Sequence, residues 1–387
     1  PLEREWGMLE LLSLEGKVRR RRSLQLSRRR ASTSQGTLPR SETPSSRLSW
    51  KRASESLRSR STQQGPGDIA VSAILTKKHD SIMEGTSRSF YLSLKQLPAG
   101  IRSQISLLYL LARTSDTITD SGQGSLEDRI DALDTFDKFA QGKTSDPPDF
   151  SILADMQKIA SEGELLRSVS DVVGSLGGFS DSDQHSILRC LGIIVSGQNL
   201  DLRRFHGESP SKDNIASLFD DEELDDYAYR VAGSVGEFWT RMSLDHLFKA
   251  TEDDEVALFA NAIRFGKALQ MINILRDIPA DLRTGRCYIP KSSLDQHGLS
   301  AHDLRDPENM PRFRPLFDQY LDMTESHFKA AIEYIGMLPH SQFRLRGSCM
   351  LPVIIGKRTA KLLRNGNVLE RNSRIKIDRS DICLLYT

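Results

Sequence analysis

Two short acidic patterns lie 161 residues apart in a chain whose remaining sequence is mostly helical in pattern. The first pairs Asp116 with Asp120 and the second pairs Asp277 with Asp281. Spacing of i, i+4 puts both carboxylates of a pair on one face of a helix, where like charges repel and need a counter-charge. Mg²⁺ prefers a few carboxylates completed by water and phosphate oxygens. Each pair therefore predicts a magnesium site.

Arginines accompany both acidic patterns. Arg113 precedes the first pair, whereas Arg276 and Arg286 flank the second. Arg88 follows Ser87 at a predicted helix N-terminus, a place that favours anions. A guanidinium group binds phosphate oxygens with two parallel hydrogen bonds. Together with the carboxylates, these arginines predict a diphosphate held through magnesium.

Each acidic pair continues a polar stripe on an otherwise apolar helix. Tyr109 and Arg113 extend the first pair, and Gln270 and Asn273 extend the second. Buried amides and carboxylates are costly unless they are satisfied, so we expect the two stripes to face each other across a shared cavity. Pro279 predicts that the second helix bends or ends there, which places the last carboxylate at a helix terminus.

A third segment, residues 227–236, combines Tyr227 with small residues. Gly233 and Gly236 cost stability within a helical pattern, so they indicate close packing. The neighbour could be another helix or a ligand, and both interpretations stay open at this point. A prenyl chain would suit such small residues, with the tyrosine as a polar handle.

Apolar periodicity predicts an all-α domain. Strand patterns are nearly absent before residue 365, where residues 365–377 could form a short hairpin or an extended tail. The predicted helices span about 69–83, 88–97, 101–119, 126–139, 151–175, 181–204, 221–246, 253–280, 314–337 and 342–365.

Residues 1–67 form a Ser/Arg-rich leader that we expect to be disordered and dispensable, with the folded domain in residues 68–387. Residues 1–65 carry 15 Lys/Arg against 6 Asp/Glu, and such a composition cannot bury enough surface to fold alone. Three interpretations compete: a disordered tail, a transit-like targeting segment, or upstream sequence foreign to the functional protein. A nucleic-acid-binding arm is disfavoured because no aromatic residues are interleaved.

The cysteines and the hydropathy restrict the class of protein. Cys190, Cys287, Cys349 and Cys383 show no metal-binding spacing and indicate reduced thiols in a cytoplasmic-type compartment. No run of 18 uncharged apolar residues exists, so no membrane span is expected.

The motifs together resemble those of the squalene/phytoene synthase family, which are head-to-head prenyl transferases. Order and spacing match over about residues 69–385. The matching pieces are Ser87-Arg88-Ser89-Phe90, the stripe from Tyr109 to Asp120, Tyr227 with residues 231–236, the stripe from Leu269 to Asp281, and Gly285-Arg286 with Ile289-Pro290.

The resemblance implies an all-α isoprenoid-synthase helical bundle around a central cavity. Asp116, Asp120, Asp277 and Asp281 would hold Mg²⁺ on prenyl diphosphates. Arg88, Arg113, Arg276 and Arg286 would bind the diphosphates, and Tyr109, Tyr227, Gln270 and Asn273 would shape the reacting centre. The implied chemistry joins two prenyl diphosphates through a cyclopropyl diphosphate intermediate.

The final product depends on the C-terminal segment. Our leading interpretation is a bacterial-type squalene synthase that joins two farnesyl diphosphates and uses NADPH for reduction. Arg374, Lys376 and Arg379 resemble a basic segment of squalene synthases and could contact the 2′-phosphate of NADPH, although a solvated terminal strand would look the same. Phytoene or dehydrosqualene synthesis without reduction is the alternative. A non-catalytic homologue acting as an assembly protein is the alternative from another class.

The resemblance also sets expectations about partners and location. We expect prenyl diphosphate substrates, no nucleic acid and a monomer. The C-terminal membrane helix of eukaryotic squalene synthases has no counterpart here, so a cytoplasmic protein is expected that can contact a membrane peripherally when it releases product.

Overall fold

The computed structural model describes residues 74–87, 90–121, 125–205 and 215–370, together with residue 375. Arg88, Arg374, Lys376, Arg379, Cys383 and the leader lie outside the described residues, so the predictions made for them remain predictions. Within the described part the chain is almost entirely helical, and the predicted all-α class is confirmed. None of the helices described is both long and apolar enough to cross a membrane.

The α-helices are numbered in chain order. They are α1 Lys77–Ser87, α2 Phe90–Gln96, α3 Ala99–Asp120, α4 Leu126–Ala140, α5 Ser151–Asp155, α6 Ala160–Arg167, α7 Val169–Gly174, α8 Asp181–Phe205, α9 Asp221–Ala228, α10 Ser234–His246, α11 Glu252–Arg283, α12 Lys291–Gln296, α13 Met310–Met337 and α14 Phe343–Asn365. Short 3₁₀ segments occupy Ser175–Gly178, Asp303–Arg305 and Pro307–Asn309.

Helix α3 is a core helix that carries the first acidic pair at its end. Leu107, Leu110 and Leu111 are fully buried on different sides of it, as expected for a helix surrounded by others. It packs against α4, α8 and α10. Helix α11, which carries the second pair, packs most extensively on α13 and also contacts α10 and α14.

Helices α9 and α10 are joined through a π-helical segment, Tyr229–Gly233, that continues the same helix. Such π segments insert an extra residue and frequently occur at functional sites. Immediately afterwards, α10 crosses α11 so closely that a Cβ built on Gly236 would lie 2.1 Å from the carbonyl oxygen of Ala262. A Cβ on Gly266 would lie 2.1 Å from the carbonyl oxygen of Ala232. The close packing of α10 on α11 therefore explains Gly236, one of the two glycines for which the sequence predicted a close neighbour.

One sequence expectation was wrong. The helix predicted over 151–175 is broken into α5, α6, α7 and a 3₁₀ turn, because the backbone leaves the helical conformation at Ile159, with φ −101° and ψ 115°, and again at Ser168, with φ −101° and ψ 10°. Helix α11 continues through Pro279 to Arg283, with Ile278 and Leu282 buried on either side, so Asp281 lies in its last turn, at the predicted helix terminus.

Strands are nearly absent from the described residues, in agreement with the predicted all-α class. Two-residue strands, β1 (Ala216–Ser217) and β2 (Arg286–Cys287), form a parallel pair, with Ala216 opposite Arg286. Segments this short carry no alternation that a sequence pattern could reveal. Cys190, Cys287 and Cys349 are buried free thiols, as predicted for the cysteines that the structure describes.

Candidate active site

One face of α11 joins an apolar cavity to the second acidic motif. Residues spaced by three or four along this face change from small and apolar to polar and acidic. In order they are Ala262, Gly266, Gln270, Asn273, Asp277 and Asp281. The first two line the cavity. At about 1.5 Å per residue, Asp277 lies about 16 Å along the helix from Gly266.

The cavity at the start of this face is almost purely apolar. Its empty volume is about 460 Å³, including the space that opens to solvent. The ring of Phe265 lies 6.2 Å from that of Tyr334 in its wall, and the Tyr334 hydroxyl accepts a hydrogen bond from Thr240. The lining residues are Ser93, Gly236, Trp239, Ala262, Phe265, Gly266, Tyr334, Ser348, Cys349 and Pro352. The lining is suited to apolar groups.

The first acidic motif occupies the last turn of α3. Asp116 is half-buried, and its Oδ1 accepts a hydrogen bond of 2.6 Å from the side-chain amide of Gln198 on α8. Arg113, one turn earlier, forms a buried ion pair with Glu162. The hydroxyl of Tyr109 lies 3.2 Å from that of Thr86. The residues of the predicted stripe are therefore held by partners on three different elements.

The second acidic motif includes a paired arginine. Arg276 is buried and donates from Nε and from its terminal nitrogen to the two carboxylate oxygens of Asp277, at 3.0 and 2.6 Å. Asp281 is buried in the last turns of the helix. Asn273 is only 6% exposed, and neither its amide oxygen nor its amide nitrogen has a hydrogen-bond partner among the described residues. A buried amide in this state indicates a position for a polar group of a ligand.

Arg286 reaches the site through the strand pair. Gly285, which ends α11 with a φ of 77°, turns the chain into β2. The guanidinium of Arg286 then donates to Oδ2 of Asp201 at 3.1 Å, and both side chains are buried. The same carboxylate accepts a hydrogen bond of 2.7 Å from the hydroxyl of Tyr288.

Tyr227 belongs to the same network. Its ring stacks on that of Tyr288, with centroids 4.9 Å apart and planes at 24°. Its hydroxyl donates to the Tyr288 hydroxyl at 3.4 Å. A chain of hydrogen bonds thus leads from Tyr227 through Tyr288 to Asp201 and fixes the tyrosine beside Arg286.

Arg129 is a site residue that the sequence reasoning missed. Burial lowers the pKa of its guanidinium, the nearby charge of Arg286 lowers it further, and the carboxylate of Asp120 raises it. Arg129 lies near the start of α4, whose first turn is fixed by a capping box at Ser125. Two guanidinium groups close to one another and to an acidic pair form a site suited to an anion. Nothing in its local pattern distinguishes this arginine from an ordinary surface residue.

Helix α8 connects the first acidic motif to Arg286, and the sequence reasoning missed this connection. Gln198 contacts Asp116, and Asp201, less than one turn later, contacts Arg286. Both polar residues lie among the buried Val195 and Leu202. That i, i+3 polar pair in an apolar stretch was the available signal.

The carboxylates have the chemistry that a magnesium ion requires. Both pairs lie in the last turns of their helices, where the negative end of the helix dipole disfavours further negative charge unless a cation is present. Their oxygens are the hard donors that Mg²⁺ prefers. Among the described residues no three His, Cys, Asp or Glu side chains are grouped to hold a metal.

The comparisons with known proteins agree with this architecture. Residues 83–381 match the family model for squalene/phytoene synthase. The chain belongs to the squalene/phytoene synthase family.

Individual relatives are distant. The chain is 30% identical over 235 residues to a bifunctional lycopene cyclase/phytoene synthase of Neurospora crassa, covering 59% of this chain and 38% of that protein. It is 26% identical over 309 residues to a presqualene diphosphate synthase of Zymomonas mobilis, covering 79% of this chain and 90% of that protein.

Solved structures confirm the fold. The structure of TcSQS in complex with the ligand E5700 superposes with a TM-score of 0.66 at 18% identity, covering 82% of this chain and 85% of that chain. At this identity the likeness concerns the fold alone. The all-α isoprenoid-synthase fold predicted from the sequence is thereby confirmed.

Proposed function

We propose that this protein is a Mg²⁺-dependent prenyl transferase that joins two farnesyl diphosphates head to head and forms squalene with NADPH. The observation that supports this most directly is the face of α11, where Gly266 lines an apolar cavity and the carboxylate of Asp277 follows about three turns later. A prenyl diphosphate has the same order of groups, with an apolar chain that ends in a multiply charged head.

The arginines and carboxylates would bind the two diphosphates. Asp116 and Asp120 would hold Mg²⁺ on one diphosphate, and Asp277 and Asp281 would hold it on the other. Bound magnesium offsets the negative charge that develops on the leaving diphosphate. Arg276 already holds Asp277 through two hydrogen bonds and so fixes the orientation of its carboxylate.

The reaction begins when the bond between carbon and diphosphate oxygen breaks in one substrate. The double bond of the second prenyl chain attacks the resulting allylic cation, and loss of a proton closes the cyclopropane ring. Arg286, held by Asp201, would stabilise the released diphosphate. The apolar wall around Phe265 would exclude water, which would otherwise quench the cation.

Asn273 and Tyr227 are the two polar groups that would act at the reacting carbons. The buried amide of Asn273 could accept a hydrogen bond from, or donate one to, the substrate. Tyr227, fixed by its stack on Tyr288, provides a hydroxyl beside the diphosphate site. NADPH, when bound, supplies the hydride that completes squalene, and the basic residues proposed to bind it are Arg374, Lys376 and Arg379.

A second candidate is synthesis of phytoene or dehydrosqualene without reduction. It is favoured by the similarity to the bifunctional lycopene cyclase/phytoene synthase of Neurospora crassa. The similarity to the presqualene diphosphate synthase of Zymomonas mobilis favours an enzyme that stops at the cyclopropyl diphosphate. These outcomes share the type of first condensation and differ in the length of the prenyl chains and in the fate of the cyclopropyl diphosphate.

The test is incubation of the purified protein with farnesyl or geranylgeranyl diphosphate and Mg²⁺, with and without NADPH, and identification of the products by mass spectrometry. Squalene that requires NADPH is the expected result. A hydrocarbon that is unchanged by NADPH would replace the squalene assignment with the second candidate. Absence of turnover with every substrate would favour a non-catalytic homologue.

A further inference from the structure

One buried carboxylate, that of Asp201 on α8, is shared by two side chains from the same extended segment. Its Oδ2 accepts a hydrogen bond from the guanidinium of Arg286, and its Oδ1 accepts one of 2.7 Å from the hydroxyl of Tyr288. Arg286 and Tyr288 lie two residues apart, and alternate residues of an extended chain point to one side. Asp201 is 7% exposed and Tyr288 is 5% exposed. The carboxylate therefore holds a cation on one oxygen and a hydroxyl on the other, away from bulk water.

Tyr288 is held between two aromatic rings. The ring of Phe205 lies 5.0 Å from it at 63°, and that of Tyr227 lies 4.9 Å from it at 24°. The Tyr227 hydroxyl donates to the Tyr288 hydroxyl at 3.4 Å. Tyr227 is only half-buried, so it is the end of this hydrogen-bonded chain that a ligand can approach. We call Tyr227, Tyr288 and Asp201 the Tyr227 relay.

Under the proposed function, on which this inference rests, a proton must leave the carbon that has lost its diphosphate. That carbon was bonded to a diphosphate oxygen, so it lies next to the diphosphate site at Arg286. Water is excluded as the acceptor, since water that reached the cation would capture it. The proton must therefore pass to the protein or to the released diphosphate.

We propose that the Tyr227 relay takes up this proton, with Asp201 as the final acceptor. The carbon–hydrogen bond breaks, its electron pair closes the cyclopropane ring, and the proton passes to the oxygen of Tyr227. The hydroxyl proton of Tyr227 passes to the oxygen of Tyr288. The hydroxyl proton of Tyr288 passes to Oδ1 of Asp201, which becomes a neutral carboxylic acid. The charge of the carbocation and that of the carboxylate are thus removed together.

Arg286 links the relay to the departure of diphosphate. In the structure its guanidinium is paired with Oδ2 of Asp201. A departing diphosphate carries more negative charge than it did as an ester, so it competes for the same guanidinium. A carboxylate that shares its counter-charge with another anion binds a proton more readily. Ionisation of the substrate therefore prepares Asp201 to accept the proton.

The experiment compares Tyr227→Phe, Tyr288→Phe and the double variant Y227F/Y288F with the unaltered chain, each given farnesyl diphosphate, Mg²⁺ and NADPH. Release of inorganic diphosphate reports the ionisation. The second readout is the ratio of condensed products to the alcohols that form when water captures a cation. Circular dichroism checks that each variant is folded.

Tyr288→Phe should release diphosphate at nearly the unaltered rate but lower the product ratio about tenfold or more, because a positioned base speeds proton loss alone. Y227F/Y288F should lower the ratio no further than Tyr227→Phe, because groups that act as one unit are not additive. Deuterium on the carbon that bears the diphosphate should lower the ratio more in Tyr288→Phe than in the unaltered chain, since breaking of that bond then determines the product.

Tyr320→Phe is the matched control. It also removes the hydroxyl of a buried tyrosine that donates to a carboxylate, here Oδ1 of Asp221 at 2.6 Å, outside the relay. It should leave both readouts unchanged. If Tyr288→Phe lowers diphosphate release and condensed products by the same factor, Tyr288 has a structural role only and the proposal is wrong. An unchanged ratio in Tyr288→Phe would assign the proton to the diphosphate and would also overturn it.

Asp201→Asn tests the final acceptor. It keeps an oxygen for the hydroxyl of Tyr288 and removes the negative charge, so it should lower the product ratio as Tyr288→Phe does. If Asp201→Asn does not fold, the tyrosine variants decide the matter. An unaltered chain that releases no diphosphate would refute the proposed function and the relay with it, whereas release with an unchanged ratio in Tyr288→Phe refutes the relay alone.

Discussion

The side-chain amide of Gln198 donates a hydrogen bond of 2.6 Å to Oδ1 of Asp116. This contact ties α8 to the first acidic motif, and Asp201 on the same helix ties α8 to Arg286 beyond the second motif. Arg129 lies within electrostatic range of both Arg286 and Asp120. The first acidic motif and Arg286 therefore belong to one connected network that is fixed by a helix without an acidic motif of its own.

Replacement of a single carboxylate in either acidic pair should remove activity without unfolding the protein. Asp116→Asn keeps an acceptor oxygen for Gln198, and Asp277→Asn keeps one for Arg276, so the packing should persist. Loss of one charged group that stabilises the transition state costs on the order of 10²-fold or more in rate. The measurement is the rate of product formation, with the thermal midpoint of unfolding as the test of fold.

The control for these variants is Asp131→Asn, an exposed carboxylate on α4 that takes no part in the network. It should leave the rate unchanged. A full rate in Asp116→Asn or Asp277→Asn would refute the role of these carboxylates in holding magnesium.

Arg129→Gln should weaken the binding of diphosphate without lowering the stability of the fold. Removing one of two neighbouring guanidinium groups relieves their repulsion, so the free energy of unfolding without ligand should stay the same or rise. Binding of inorganic diphosphate with Mg²⁺ should weaken about tenfold or more, because a charge-assisted hydrogen bond contributes about 1.5–3 kcal/mol. Thermal unfolding with and without diphosphate measures both quantities.

Arg129→Lys is the matched variant, since it keeps the charge and loses the planar fork. It should recover part of the diphosphate binding. A variant Arg129→Gln that unfolds more easily and binds diphosphate normally would show that Arg129 has a structural role only.

The order of the helices and the two polar stripes could be predicted from the sequence because periodicity and spacing are local. The π-helical segment, the β1–β2 pair and the path of α11 through Pro279 could not, since each depends on contacts with distant residues. Arg129 illustrates the same limit at the site. It becomes a candidate only because Arg286, 157 residues later, is placed beside it by Gly285 and the strand pair.

Asp201→Ala should destabilise the fold strongly. Removing this carboxylate takes the ion-pair partner from the buried Arg286 and the acceptor from the hydroxyl of Tyr288. Breaking a buried ion pair by deleting one partner costs about 3–5 kcal/mol. Urea unfolding followed by circular dichroism measures this loss.

Tyr288→Phe is the milder comparison at the same place. It keeps the stack on Tyr227 and removes two hydrogen bonds, one donated to Asp201 and one accepted from Tyr227, so a loss of about 2 kcal/mol is expected. Equal losses for the two variants would contradict the importance of the ion pair with Arg286.

Gly266→Ala tests the close crossing of α10 and α11 that forms one wall of the apolar cavity. The added Cβ would lie 2.1 Å from the carbonyl oxygen of Ala232 and 2.9 Å from the Cα of Gly233, and both are backbone atoms that cannot turn aside. The helices must separate, which should lower the free energy of unfolding by about 1–3 kcal/mol.

Gly336→Ala on α13 is the control. Its added Cβ meets nothing within 4 Å, so it should instead stabilise the protein by about 0.5–1 kcal/mol, because alanine loses less entropy in a helix. Denaturant titration of both variants distinguishes the two effects, and a Gly266→Ala protein as stable as Gly336→Ala would show that the crossing tolerates a side chain.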